Sequence, residues 1–430
     1  MDFKSQKSNL IGDATISGSK SHTIRAVLLA TMTDGISYIH NPLSSFDCQS
    51  AMNVASWFGA ETKIENGLWT VKGHGKQLEI PNTCVDCGNS GSTVYFTASM
   101  AGLIDGYTVL TGDAQIRRRP IMPVLSAINQ LGGKAFTTRP DVDACPAVIR
   151  GKMKGGQVHY KKSLSQFVSS IMMVSPLLEN DTEIFNDEPL EKPYLQITID
   201  WMKRFGVDLE KKSDDYSYFK IKGGQSYTPV NVTIPGDWSS VVFLLVAGVV
   251  VPSKITISGI DFNDSQGDKV VVDYLTKIGA EIIADKENNK LTIVGGKPLS
   301  GNFTFDLSDT PDSLPALAVL AAYINGDTTF TGLAHVRLKE TDRVATMTSE
   351  LSKVGVQVKT GSDYMVVHGG SRITGSIVES YNDHRIAMAM TICGLIADGE
   401  MTVKNCECVD VSFPTFFEVF HNLGAVIKKA

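Results

Sequence analysis

Arg337, Lys339, Glu340 and Arg343 fall together in VRLKETDRV, and Asp383, His384 and Arg385 fall together in YNDHR. Guanidinium groups at this density suit two-pronged binding of phosphate or carboxylate. An acid set among them, such as Glu340, is an ionised group in a strong field, and Asp312 in TPD poses the same question. Arg117, Arg118 and Arg119 precede Pro120, and Lys20, Ser21 and Arg25 lie in GSKSHTIR. Taken singly, each has a bland reading. A Lys or Arg in a first helical turn is normally solvated, RRRP is a common surface turn, and Asp237 or Asp312 is an ordinary helix cap. His384 suits either a structural bridge or a place in a site.

The elements that carry these residues repeat. A Gly follows an amphipathic stretch and precedes a short strand-like run at Gly59, Gly132, Gly206, Gly279, Gly355 and Gly424, spaced by 73, 74, 73, 76 and 69 residues. Small or polar starts of apolar helical runs keep the same step, at Ser19, Gly91, Ser165, Asp237, Asp312 and Asp383. Turn dipeptides such as Asp105-Gly106, Asn325-Gly326 and Asp398-Gly399 then lead into β-rich runs. The second helix of a unit is visibly one-faced, as in Val270, Val271, Tyr274, Leu275 and Ile278, or Val344, Met347, Leu351 and Val354. Each unit therefore reads as strand, helix, strand, helix and two further strands. Six units predict an α/β (α+β) chain of two pseudo-symmetric domains, each of three βαβαββ repeats. The expected division is residues 1–13 plus 235–430 as one discontinuous domain, with residues 14–234 inserted.

The chemically suggestive residues sit at matching phases of this repeat, at or near helix starts. Helix N-termini collect free N–H groups and positive dipole ends. If several point into one cleft, that cleft attracts anions although the chain as a whole is acidic. Asn89, Ser90 and Gly91 in GNSGST, and Ser165 with Gln166, belong to the same pattern.

The composition bounds the function. Lys plus Arg is 40 against 46 Asp plus Glu, a net charge of −6, which leaves a nucleic-acid partner without support. At 43% hydrophobic and 20% charged, the 430 residues are ordinary globular material. Seven cysteines are too sparse for a disulfide scaffold, the segment Met1 to Asp13 lacks an apolar signal core, and the longest apolar run, Val241 to Val251, is too short to span a bilayer. A cytoplasmic protein away from membranes is expected. Cys84 and Cys87 make half a zinc knuckle without a matching half, so no metal is expected. HExxH, GxSxG, a Walker A loop and a clean GxGxxG are all missing.

GSKSHTIR, GNSGST, RRRP, SQF, KPY, PGDWSS, TPD, LKETDR and YNDHR, in this order along essentially the whole chain, resemble the enolpyruvyl transferases. Among them LKETDR and YNDHR are the most specific, and the chain is most similar to the branch that acts on shikimate 3-phosphate. The resemblance implies two domains of three βαβαββ units with the active site in the cleft between them. It implies transfer of the carboxyvinyl group of phosphoenolpyruvate to an acceptor hydroxyl, release of phosphate, no cofactor and a monomer. Lys20, Gly91, Arg119, Gln166, Arg343 and Arg385 match positions that hold phosphoenolpyruvate. Ser21, Arg25, Ser165, Tyr194, Asp312 and Lys339 match positions that hold shikimate 3-phosphate. Asp312 would take the proton of the attacking hydroxyl, and Glu340 or Lys20 would protonate the methylene carbon.

The chain also departs from that pattern. Val411 stands where the family carries Lys, Tyr95 where it carries Arg, Leu164 at the first Ser of SSQ, His335 at Asn and Cys48 at Asp. Glu191 replaces a phosphate-binding position before KPY. A relative that uses another acceptor alcohol, or a catalytically inactive anion-binding protein, are the competing expectations. The sibling that uses a UDP-sugar is disfavoured, because the loop GDAQIRRRP lacks its Cys.

Overall fold

The computed structural model of the chain describes residues 1–212 and 214–430. Its α-helices in chain order are α1 (Lys20–Thr31), α2 (Phe46–Trp57), α3 (Gly91–Ala101), α4 (Met122–Gln130), α5 (Ser165–Val174), α6 (Lys192–Arg204), α7 (Trp238–Val250), α8 (Val271–Lys277), α9 (Leu314–Tyr323), α10 (Arg343–Lys353), α11 (His384–Gly394) and α12 (Phe416–Asn422). The strands form four-stranded sheets of one pattern. Tyr107–Thr111 lies parallel to Val85–Asp86 and antiparallel to Ala147–Arg150, which pairs antiparallel with Lys134–Thr137. Asp327–Thr331 stands in the same relation to Phe303–Asp306, Tyr364–His368 and Gln357–Thr360.

The repeated glycines have a single physical cause. Gly59, Gly132, Gly206, Gly279, Gly355 and Gly424 each lie two residues past the end of α2, α4, α6, α8, α10 or α12, with φ between 85° and 98°. A left-handed residue there ends the helix and turns the chain into the next strand, and a β-carbon in that conformation costs roughly 1–2 kcal/mol.

By contact, the chain divides into two compact units: Met1–Ser17 with Pro235–Ala430, and Gly18–Ile234. The first crossing follows the strand Leu10–Thr15 rather than falling at Asp13, because that whole strand pairs parallel with Ser253–Ser258. Likewise Asn231–Thr233 pairs with Tyr38–His40 and closes the first sheet of the inserted unit.

In each unit the first helix of every repeat is central. α7 is buried at all thirteen positions, so the longest apolar run is the core of a domain. Burying one Val, Leu or Phe side chain contributes about 1.5–3 kcal/mol. Among the described residues no helix is long and apolar enough to cross a membrane. Each unit has its own core: Trp238, Leu244, Leu317 and Ile386 belong to one, and Leu28, Phe96, Ile171 and Trp201 to the other.

Candidate active site

Within the inserted unit, the starts of α3 and α5 meet. Gln166 Nε2 at the start of α5 donates to Ser92 Oγ at the start of α3, at 2.8 Å. Arg25 lies over the ring of Phe96, each the sixth residue of its helix. That contact packs α1 against α3. Lys20 is the first residue of α1, and its ammonium is 3.1 Å from Asp47 Oδ2. Arg119 is buried while Arg117 and Arg118 are exposed, so RRRP turns one guanidinium inward. That guanidinium lies against Gly91: a β-carbon on Gly91 would sit 2.7 Å from its carbon and one of its nitrogens. Only glycine leaves room for this approach at the start of α3.

Arg25 is buried and donates from Nε to Thr198 Oγ1 at 2.8 Å, and from its two terminal nitrogens to the carbonyls of Ser21 and Tyr194. Burial pulls its pKa down to about 10, against the supporting negative charge of Tyr194 and Glu191. Ser165 Oγ donates to Glu191 Oε2 at 2.7 Å.

In the other unit, a denser group forms around one arginine. Arg343 is completely buried. It donates to Asp312 Oδ1 at 2.8 Å, Glu340 Oε2 at 2.5 Å and Asp383 Oδ2 at 2.9 Å. Arg385, in the first turn of α11, holds the other oxygen of Asp312 at 3.0 Å. Burial alone would raise the pKa of Asp312. The positive charges of Arg385, Lys339 and Arg343 override it and hold the carboxyl well below the usual range. Arg343 in turn is raised: burial opposes its charge, and Asp383, Glu340 and Asp312 outweigh burial.

Asp268 completes this group and has no sequence signal. It is buried and accepts the hydroxyls of Ser239 and Ser313 at 2.6 Å each, which ties the start of α7 to the start of α9. Burial, then the nearby charge of Asp312, raises its pKa. Asp383 was legible only as a helix cap. It also anchors Arg343 and accepts from Thr341 Oγ1 at 3.0 Å. Arg337, by contrast, turns away to Asp342 and to the carbonyl of Gly361.

The starts of α3 and α5 are thus joined in the inserted unit, and those of α7, α9 and α11 are linked through Asp268 and Asp312 in the other. Lys20, Ser21, Arg25, Gly91, Arg119, Ser165, Gln166 and Tyr194 lie in one unit. Asp312, Lys339, Glu340, Arg343 and Arg385 lie in the other. Among the departures, Tyr95 is buried at the edge of Phe167, and the charge of Arg119 opposes the burial that raises its pKa. Leu164 leaves α5 without a side-chain cap. Val411 is a buried apolar residue that adds no charge. Chemically, each unit carries a set of cations, and in the second three acids, Asp312, Glu340 and Asp383, are held by guanidinium groups.

The sequence model of a family described as EPSP synthase (3-phosphoshikimate 1-carboxyvinyltransferase) matches residues 4–420. The 3-phosphoshikimate 1-carboxyvinyltransferase of Ruminiclostridium cellulolyticum is 41% identical over 428 residues, covering 100% of both chains. That of Methanococcus maripaludis is 41% identical over 414 residues, 95% of each chain. In backbone, the chain matches the EPSP synthase from Acinetobacter baumannii with a TM-score of 0.81 at 24% identity, covering 100% of this chain and 99% of that one. It also matches the enolpyruvyl transferase NikO from Streptomyces tendae with a TM-score of 0.82 at 19% identity, covering 99% and 98%.

Proposed function

Because the chain belongs to the EPSP synthase family, whose model it matches over nearly its whole length, we propose that it moves the carboxyvinyl group of phosphoenolpyruvate onto a hydroxyl of shikimate 3-phosphate. The observation that carries the reading is the double hold on Asp312 by Arg343 and Arg385.

Phosphoenolpyruvate brings a carboxylate and a phosphate. Lys20, Arg119, Arg343 and Arg385 supply the balancing cations, with Gly91 leaving room for Arg119 and Gln166 adding a donor. Ser21, Arg25, Ser165, Tyr194 and Lys339 hold the acceptor. Gripped by two guanidinium groups, Asp312 is a poor base, since they stabilise its charged form. An anion that takes over those donors weakens their hold on Asp312 and adds negative charge beside it. Both effects raise its proton affinity at the moment the substrate is in place. Asp312 then takes the proton of the acceptor hydroxyl as its oxygen attacks C2 of phosphoenolpyruvate. Glu340, or Lys20, gives a proton to C3, which becomes a methyl group. In the second step the C2–O bond to phosphate breaks and phosphate departs, the side chain that protonated C3 takes a proton back from the methyl group, and the vinyl ether remains. The reaction uses no cofactor, and the reading takes the enzyme as a cytoplasmic monomer.

The deciding assay offers phosphoenolpyruvate with shikimate 3-phosphate and measures released phosphate and the vinyl ether. Turnover is expected, and its absence in pure, folded protein removes the reading. Arg119→Ala is expected to raise the KM for phosphoenolpyruvate about 10- to 100-fold, as the loss of one charge-assisted contact predicts, with a smaller change for the acceptor. Initial rates over a grid of both substrates measure this; an unchanged phosphoenolpyruvate dependence would take Arg119 out of the site.

A further inference from the structure

Ser165 opens α5, and Glu191 stands immediately before α6. Glu191 is 1% exposed, and its carboxylate accepts the Ser165 hydroxyl at 2.7 Å. Its backbone is left-handed, φ 54° and ψ 44°, a conformation that disfavours a side chain of this size. The unit tolerates that cost in a place where a free N–H end, a buried hydroxyl and the field of Arg25 converge. These are the groups that would receive an anion carried by the acceptor.

We propose that Glu191 is a specificity-determining residue, an internal carboxylate that competes with the acceptor's own anionic group and weakens the hold on a phosphorylated alcohol. The inference rests on the acceptor assignment made above. Two anions brought together in a desolvated setting repel, and the Ser165 hydroxyl has one proton to donate. While Glu191 takes that proton, an acceptor phosphate must do without it or displace the carboxylate. Removing the charge frees the donor and the field for the ligand. The alcohol without its phosphate, shikimate, gains little from the same change. A simple helix-capping role for Glu191 would not produce this difference between two ligands.

Calorimetric titration of the unaltered chain, Glu191→Gln and Glu191→Gly with shikimate 3-phosphate and with shikimate tests the proposal. Glutamine keeps the shape without the charge, and glycine suits the left-handed backbone. Shikimate 3-phosphate is expected to bind about 10-fold more tightly in at least one folded variant, with shikimate changing less than about 2-fold. Unchanged or weaker binding of the phosphate ester in both variants, or an equal gain for shikimate, overturns it. Turnover by the unaltered chain judges the reaction separately: its failure would remove the transferase reading, whereas the titrations judge Glu191.

Discussion

Arg343→Ala is expected to abolish turnover and to lower the free energy of unfolding by about 3–5 kcal/mol, the usual result of removing one partner from a buried ion pair. The guanidinium is fully buried and is the common partner of Asp312, Glu340 and Asp383. Alanine leaves three carboxylates close together without it, two of them the residues assigned to proton transfer in the proposed reaction. Arg343→Lys should recover only part of the loss, because one ammonium cannot reproduce a planar fork with three acceptors. The pH dependence gives the sign. The depressed pKa of Asp312 contributes stability that is present in full above the ordinary carboxylate range and is lost as pH falls toward the folded value. The gap between the unaltered chain and Arg343→Ala should therefore narrow on acidification. Denaturant unfolding at neutral and acidic pH measures it, and equal stability at neutral pH would contradict the buried cluster.

Asp312→Asn and Glu340→Gln should each lower kcat by about 100- to 10,000-fold, the range for a general acid or base, and change ligand affinity far less. Both substitutions keep the side-chain size and remove only the exchangeable proton site and its charge. In Asp312→Asn the amide oxygen can still accept from one guanidinium, so the pocket should persist. Single-turnover rates alongside equilibrium binding separate the two effects. Near-normal rates in either variant would refute the role assigned to that residue, and a loss confined to affinity would recast it as a binding group.

Much of the frame was legible because its signals are local. A helix that ends on a left-handed glycine writes its boundary at one position, and six such positions in step reveal the repeat. Asp237 and Asp383 cap their helices through backbone N–H groups within three residues of themselves, a local signal, although the hold of Asp383 on Arg343 is not. The first chain crossing was less legible. The strand Leu10–Thr15 belongs with a partner more than 200 residues away, and its alternation does not say which sheet receives it. Asp268 was invisible because GDKV has no distinctive spacing; its importance comes from two hydroxyls on other elements.

The amino-acid order by itself settled the repeat, the helix starts and the stock of cations and acids, since backbone conformation and one-sided apolar spacing are properties of a few neighbouring residues. It also carried the family resemblance. Packing alone decided which charges meet: that Arg385 and Arg343 grip Asp312, that Lys20 finds Asp47, that Arg119 turns in while Arg117 and Arg118 turn out, and that Glu191 faces Ser165. Electrostatic energy depends on distance and on exclusion of water, and neither exists for residues far apart in the chain until helices and sheets have been brought together.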